Sequence, residues 1–176
     1  MRVSRGPRVV LIVQNLPVPR DRRVWAEAVA LRDAGFSVSV ISPKDEGDPG
    51  YALHEGVHLH KYAQREATGG LGGFLFETVY SWVRTAAILL SIAIRRGFDV
   101  VQACNPPDTY FALAAPFKLF GKRFVFDQHD MTPELFRAKF GARGGPALRL
   151  LLLFERATYK VADRVITVNE IGRAHV

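Results

Sequence analysis

The chain has 176 residues, 48% of them hydrophobic and 23% charged, which suits one globular domain with a real core and excludes a disordered chain. A formal net charge of +7 favours anionic partners such as phosphates, nucleotides or an acidic membrane surface, without choosing among them. Cys104 is the only cysteine, which excludes an intrachain disulfide and points to a reducing compartment.

The basic start of the chain is followed by an apolar run too short for a signal peptide, ending in the polar pair Gln14-Asn15. That run, Val9-Val10-Leu11-Ile12-Val13, predicts a strand over residues 8–13 covered on both faces, the habit of parallel sheets. An amphipathic helix is expected over 22–34, with Asp21 as N-cap and Gly35 closing it. The turn between them belongs to the segment QNLPVPRDRRVWAEA, which puts Arg22 and Arg23 in the first helical turn, where the backbone is already electropositive. Two cations there suit an anionic ligand; a pairing of Arg23 with Glu27 and a solvated Arg22 is the equally weighted alternative. Residues 36–42 read as a second strand and 43–56 as polar turns. Residues 57–62, VHLHKY, alternate as a third strand with His58 and His60 on one face. That pair lacks a third ligand, so no metal is expected.

Residues 69–73, GGLGG, read as a flexible loop, since the order is not G-x-G-x-x-G and no strand precedes it directly. The apolar stretch over 74–94 carries Glu77 and Arg84 and is read as a core-packed helix, with a helix lying on a bilayer surface as the minor alternative. Residues 98–103 form the next expected strand, with Cys104 as a small buried residue at its end rather than an activated nucleophile. The rigid turn Asn105-Pro106-Pro107-Asp108 follows, Asp108 being placed to cap a helix over 109–120 that Pro116 kinks. Residues 122–127 form a strand that runs into Gln128-His129-Asp130-Met131-Thr132-Pro133-Glu134, where Thr132 and Pro133 start a short helix to about 140. A longer helix over 146–163 and a strand over 164–168 complete the pattern. Strands alternating with helices predict an α/β fold with a doubly wound, Rossmann-like parallel sheet. In such a sheet the turns 14–23, 104–108 and 128–134 share the carboxyl rim, where ligands bind.

The segments QNLPVPRDRRVWAEA, LRDAGFSVSVISP, FDVVQACNPPD, PFKLFGKRFVFDQHDMTPELF and RATYKVADRVITVNE, taken in order, resemble the N-terminal domain of GT-B-fold glycosyltransferases of family 4, across residues 8–170. The resemblance implies retaining transfer of a sugar from a nucleotide-sugar to a glycan or lipid-linked acceptor, as in polysaccharide biosynthesis. It implies that residues 1–170 form the acceptor-side half of a GT-B fold, incomplete at its C-terminal end. The donor would be held by a second domain carrying an E-x7-E pair that has no counterpart here, so these residues alone are expected to be inactive. His129 is the implied residue near the reacting sugar, and Asp130 would orient it or bind acceptor hydroxyls; Asn105 and Asp108 would meet acceptor hydroxyls as well. Arg20, Arg22 and Arg23 would hold an acceptor phosphate beside Asn15 and Asp21, and Glu134 is a further acceptor-side carboxylate better read as a helix-terminus charge. The reaction needs no cofactor and no metal, and nucleic acid is not a partner, since the basic residues are scattered and carry no nucleic-acid motif. A lipid-diphosphate acceptor would place the protein in the cytoplasm, in peripheral contact with the inner face of the membrane. One departure is that PVPRDRR stands where many family members carry a Gly-Gly pair.

Residues 171–176, IGRAHV, depart from the family pattern and resemble the translation of a common sequencing adapter, so they are expected to be a non-native tail. Two other readings remain open on sequence alone: a stand-alone glycan- or phosphate-binding module, and one subunit of a split glycosyltransferase.

Overall fold

The computed structural model describes residues 6–65, 70–130 and 145–167. The chain divides into two compact units, residues 1–100 and 101–176.

In the first unit, β1 (Arg8–Ile12), β2 (Ser37–Pro43), β3 (Tyr51–His54) and β4 (Val57–Tyr62) lie in the order β3-β4-β2-β1. β1 and β2 are parallel, with Val10 opposite Ser39, and β2 and β4 are parallel, with Val40 opposite Leu59. The expected two-sided burial holds: Val9 to Ile12 in β1 and Val38 to Pro43 in β2 are all buried. α1 (Arg22–Asp33) packs on β2 and β4 through Val24 and Ala28. Its ends form as expected: the Asp21 carboxylate accepts from the N–H groups of Arg23 and Val24. At the other end Gly35, at φ 90°, lets its own N–H reach Arg32 O and the Phe36 N–H reach Leu31 O. That is a Schellman closure.

Three expectations need correction in this unit. Residues 43–56 are not all turn, because β3 pairs antiparallel with β4 and makes the sheet mixed rather than purely parallel. The two strands are joined through Glu55 and Gly56, both at positive φ (44° and 80°), the geometry of a tight hairpin turn. β3 was masked in the sequence by its exposed, barely alternating YALH. The helix α2 (Gly70–Arg95) also begins inside the supposed glycine loop. Nor is α2 a fully core-packed helix. Ser81, Thr85, Leu89 and Ile92 form its buried stripe, and the helix packs on β2 and β4. On the outward face Phe76, Val79, Val83, Leu90 and Ile94 are 52–76% exposed. Their spacing puts them on one pole of the helix.

In the second unit the order is β5-β6-β7, for β5 (Val100–Cys104), β6 (Arg123–Gln128) and β7 (Arg164–Thr167). β6 and β7 are parallel, with Phe126 opposite Val165. α3 (Phe111–Lys118) and α4 (Gly145–Val161) pack on β6 and on each other. Asp163 pins the end of α4 to β6: its carboxylate accepts from the Phe124 N–H and from Lys118 Nζ, at 2.7 and 2.8 Å. Burial alone would raise the Asp163 pKa, but those two hydrogen bonds and the Lys118 charge hold it below the ordinary value. Asp108 does not cap α3, which starts three residues later at Phe111 with Tyr110 as an N-cap that makes no side-chain bond. The helix expected over 133–140, Glu134 and the tail 171–176 all lie outside the described residues.

Candidate functional site

At the carboxyl ends of β1, β2 and β4, Asn15, Arg20, Lys44, Asp45, Glu46 and Gln64 line a cleft of about 470 Å³. Three parallel strands thus deliver one polar rim, as an open α/β sheet requires. Arg20 is 2.8 Å from Asp45 and well exposed, so this ion pair is soft and its guanidinium remains open to exchange partners. Asn15, Arg22 and Arg23 are exposed, whereas Asp21 is buried and occupied as the cap of α1. Of the residues between β1 and the start of α1 expected at a ligand, Asn15 and Arg20 line this cleft, and the first-turn residues Arg22 and Arg23 do not.

In the second unit the site is built on Asn105, at the end of β5 and 3% exposed. Its Oδ1 accepts from the backbone N–H of His129 at 2.7 Å and of Asp130 at 3.1 Å. Its Nδ2 donates to Asp108 Oδ1 at 3.1 Å and to the Asp130 carbonyl at 2.5 Å. Asp108 is anchored in turn, since the Thr158 hydroxyl donates to its carbonyl at 2.6 Å. Four residues expected at the rim (Asn105, Asp108, His129 and Asp130) are therefore one hydrogen-bonded unit. Asn105 and Asp108 face inward, and the buried amide spends three of its four hydrogen bonds fixing the backbone of the other two and the fourth on Asp108 Oδ1.

Behind the His129 ring lies a residue that sequence reasoning overlooked. Asp127 is 4% exposed, and its Oδ2 stands 2.5 Å from His129 Nε2. The ring is nearly enclosed as well, its side chain being 17% exposed. Oδ2 also receives the Cys104 thiol at 3.4 Å and, more distantly, Gln102 Nε2 at 3.5 Å. Among the described residues, Asp127 Oδ1 and His129 Nε2 find no partner in hydrogen-bonding geometry. The signal was present in the period-two alternation: Gln102 and Cys104 share one face of β5, and Asp127 and His129 share one face at the end of β6. Cys104, Asp127 and His129 also form the one close cluster of metal-capable side chains among the described residues, their ligand atoms all within 4.8 Å of one another.

His58 and His60 are engaged elsewhere. His58 is bridged by the Tyr51 hydroxyl and Arg96, and His60 lies against the Tyr51 ring. Burial, reinforced by His58 and Arg96, pushes the His60 pKa down to about 4.

Residues 21–176 match the family model described as Glycosyltransferase Family 4. No curated protein sequence matches the chain. Among solved structures, sucrose-phosphate synthase from Thermosynechococcus elongatus is similar, with a TM-score of 0.71 and 16% identity over 96% of this chain and 44% of that one. Phytolacca americana UGT2, complexed with UDP-2-fluoro-glucose and pterostilbene, gives 0.64 and 13% over 95% and 48%. LpCGTa in complex with UDP gives 0.60 and 11% over 93% and 47%. At these identities the likeness establishes the fold, and the chain spans less than half the length of each of these proteins.

Proposed function

Because this chain belongs to Glycosyltransferase Family 4 and has the fold of a GT-B N-terminal domain, we propose that it is the acceptor-side part of an enzyme that moves a sugar, with retention, from a nucleotide-sugar to a glycan or lipid-linked acceptor. The observation that carries this reading is the strand-end unit in which Asn105 fixes the His129 and Asp130 backbone while Asp127 backs the His129 ring. An imidazole held this way meets a sugar hydroxyl or the leaving phosphate without losing rotamer freedom at the moment of reaction. Asp127 and Asn105 act as positioning residues, and Asp130 is the carboxylate assigned to an acceptor hydroxyl.

In the cleft, which also carries Asp45 and Glu46, the cations Arg20 and Lys44 are assigned to an acceptor phosphate, with Arg20 exchanging its surface pairing to Asp45 for the ligand. Charge stabilisation comes from side chains and backbone, so transfer needs no metal. The donor would be gripped by the second domain that such enzymes carry. Two of the similar structures hold UDP or a UDP-sugar, which makes UDP-sugars the first donors to test.

A lipid-linked acceptor places the reaction at the inner face of the cytoplasmic membrane. Support comes from the outward face of α2, apolar from Phe76 to Ile94 and flanked by the exposed Arg84 and Arg95, which complement an anionic bilayer. The test of the activity is nucleotide release by the full-length enzyme, with UDP-sugars and a polyprenyl-diphosphate-linked acceptor. Acceptor-dependent release that survives a chelator supports the reading. Release that is absent with every donor and acceptor, from a folded enzyme, refutes it.

A further inference from the structure

We infer that Cys104, Asp127 and His129 form a binding site for one divalent ion of the zinc class, at the ends of β5 and β6. Each side chain offers one ligand atom, and the three lie within 4.8 Å of one another. Around tetrahedral zinc, with Zn–S of about 2.3 Å and Zn–N of about 2.0 Å, neighbouring ligand atoms stand roughly 3.3–3.6 Å apart. Cys104 Sγ already lies 3.4 Å from Asp127 Oδ2. His129 Nε2 is 2.5 Å from the same oxygen, too close for zinc ligands by under an ångström and aligned for no hydrogen bond. An ion between them relieves that crowding and takes the Nε2 lone pair, while the partnerless Oδ1 of Asp127 becomes available as a bidentate or alternate ligand.

The donor set decides which ion. A thiolate, an imidazole and one carboxylate are a borderline-soft set that suits zinc and cobalt and disfavours magnesium and calcium, which take oxygen ligands. A supporting shell is in place, since Gln102 Nε2 reaches Asp127 Oδ2 and Asn105 holds the His129 backbone. In the binding step the Cys104 S–H bond breaks and its proton passes to solvent. The aquo ion releases all but one of its waters as it takes sulfur, nitrogen and oxygen, with no change of oxidation state. Three protein ligands leave one position open, the pattern of a reactive or inhibitory site rather than a sealed structural one. On the reading of His129 given above, the ion inhibits transfer, because it occupies the imidazole that transfer uses.

Cobalt(II) titrated into the 176-residue chain tests the site, with zinc as competitor. One equivalent should produce a thiolate-to-cobalt charge-transfer band in the near ultraviolet, bleached by one equivalent of zinc. Asp127→Asn and His129→Gln should each weaken zinc binding at least tenfold, with the circular dichroism spectrum unchanged. The double variant His58→Gln/His60→Gln should bind as the parent does. No band at stoichiometric cobalt, or a band indifferent to both Asp127→Asn and His129→Gln, overturns the site. In the full-length enzyme, Cys104→Ser should raise the zinc concentration needed for half inhibition at least tenfold. Zinc that binds but does not inhibit leaves the site standing and overturns the role given to His129.

Discussion

Asn105→Ala is the substitution that the geometry of the strand-end unit constrains most tightly. It deletes one acceptor serving the N–H groups of His129 and Asp130, and one amide donating to Asp108 Oδ1 and the Asp130 carbonyl. A typical hydrogen bond contributes about 0.5–1.5 kcal/mol net, so four give roughly 2–6 kcal/mol. His129 and Asp130 are only partly buried, and water reaching their N–H groups recovers some of that. The expected loss is therefore about 2–4 kcal/mol, in the lower half of the range. Asn105→Asp should cost at least as much, although it keeps the acceptor. It turns a second oxygen toward Asp108 Oδ1 and the Asp130 carbonyl at a 3% exposed position, where an unpaired charge is expensive. Urea unfolding followed by circular dichroism measures the stability, and amide hydrogen exchange reads the two N–H groups directly. Exchange at His129 and Asp130 should accelerate in Asn105→Ala, with the β1–β2 amides unchanged. A loss below about 0.5 kcal/mol with both amides still protected would refute the assignment of Asn105 as the latch of this turn.

Other expectations follow from single features. His60 has a folded pKa near 4 against 6.5 unfolded, so the unfolded chain binds the extra proton between those values. Stability should be full above about pH 6.5 and fall as the pH drops toward 4, by roughly 1–3 kcal/mol, and His60→Gln should flatten that slope in thermal melts. Glu55 holds φ 44° in the β3–β4 turn, where Asn or Gly is at ease, so Glu55→Asn should raise stability by about 0.5–1 kcal/mol in urea titrations. Gly35→Ala, at φ 90°, should lower it by about 1 kcal/mol on the same assay. Val83→Glu combined with Leu90→Glu should abolish sedimentation with anionic phosphatidylglycerol vesicles while leaving the melting temperature within a few degrees, since both positions are more than half exposed.

The parts of the fold written in strong local patterns were legible. The Val9–Val13 run, the Asp21 cap and the Gly35 closure each obey a rule that needs no tertiary context, and each stands as expected. β3 did not announce itself, because Tyr51–His54 is an exposed edge strand whose only requirement is backbone pairing with β4. Composition identified α2 as a long apolar helix, but it did not tell an inward stripe from an outward one, since both are apolar. At the site, residue types marked Asn105, Asp108, His129 and Asp130, and the fold joined them. Their division of labour was not legible, because an Asn that binds a hydroxyl and an Asn that holds a neighbouring strand end look alike until burial is known. Asp127 escaped notice as the polar end of KRFVFD, although its two-residue spacing from His129 placed both side chains on one face.

The measurement that bears most directly on the central claim is the turnover of a UDP-sugar by the full-length enzyme carrying His129→Ala, beside the parent, at matched melting temperature. A hydrogen bond to a group that gains charge in the transition state is worth about 1.5–3 kcal/mol, so kcat should fall by roughly 10- to 100-fold with little change in acceptor KM. A kcat within threefold of the parent would contradict the account, placing His129 outside the reacting centre and leaving the strand-end unit a structural device.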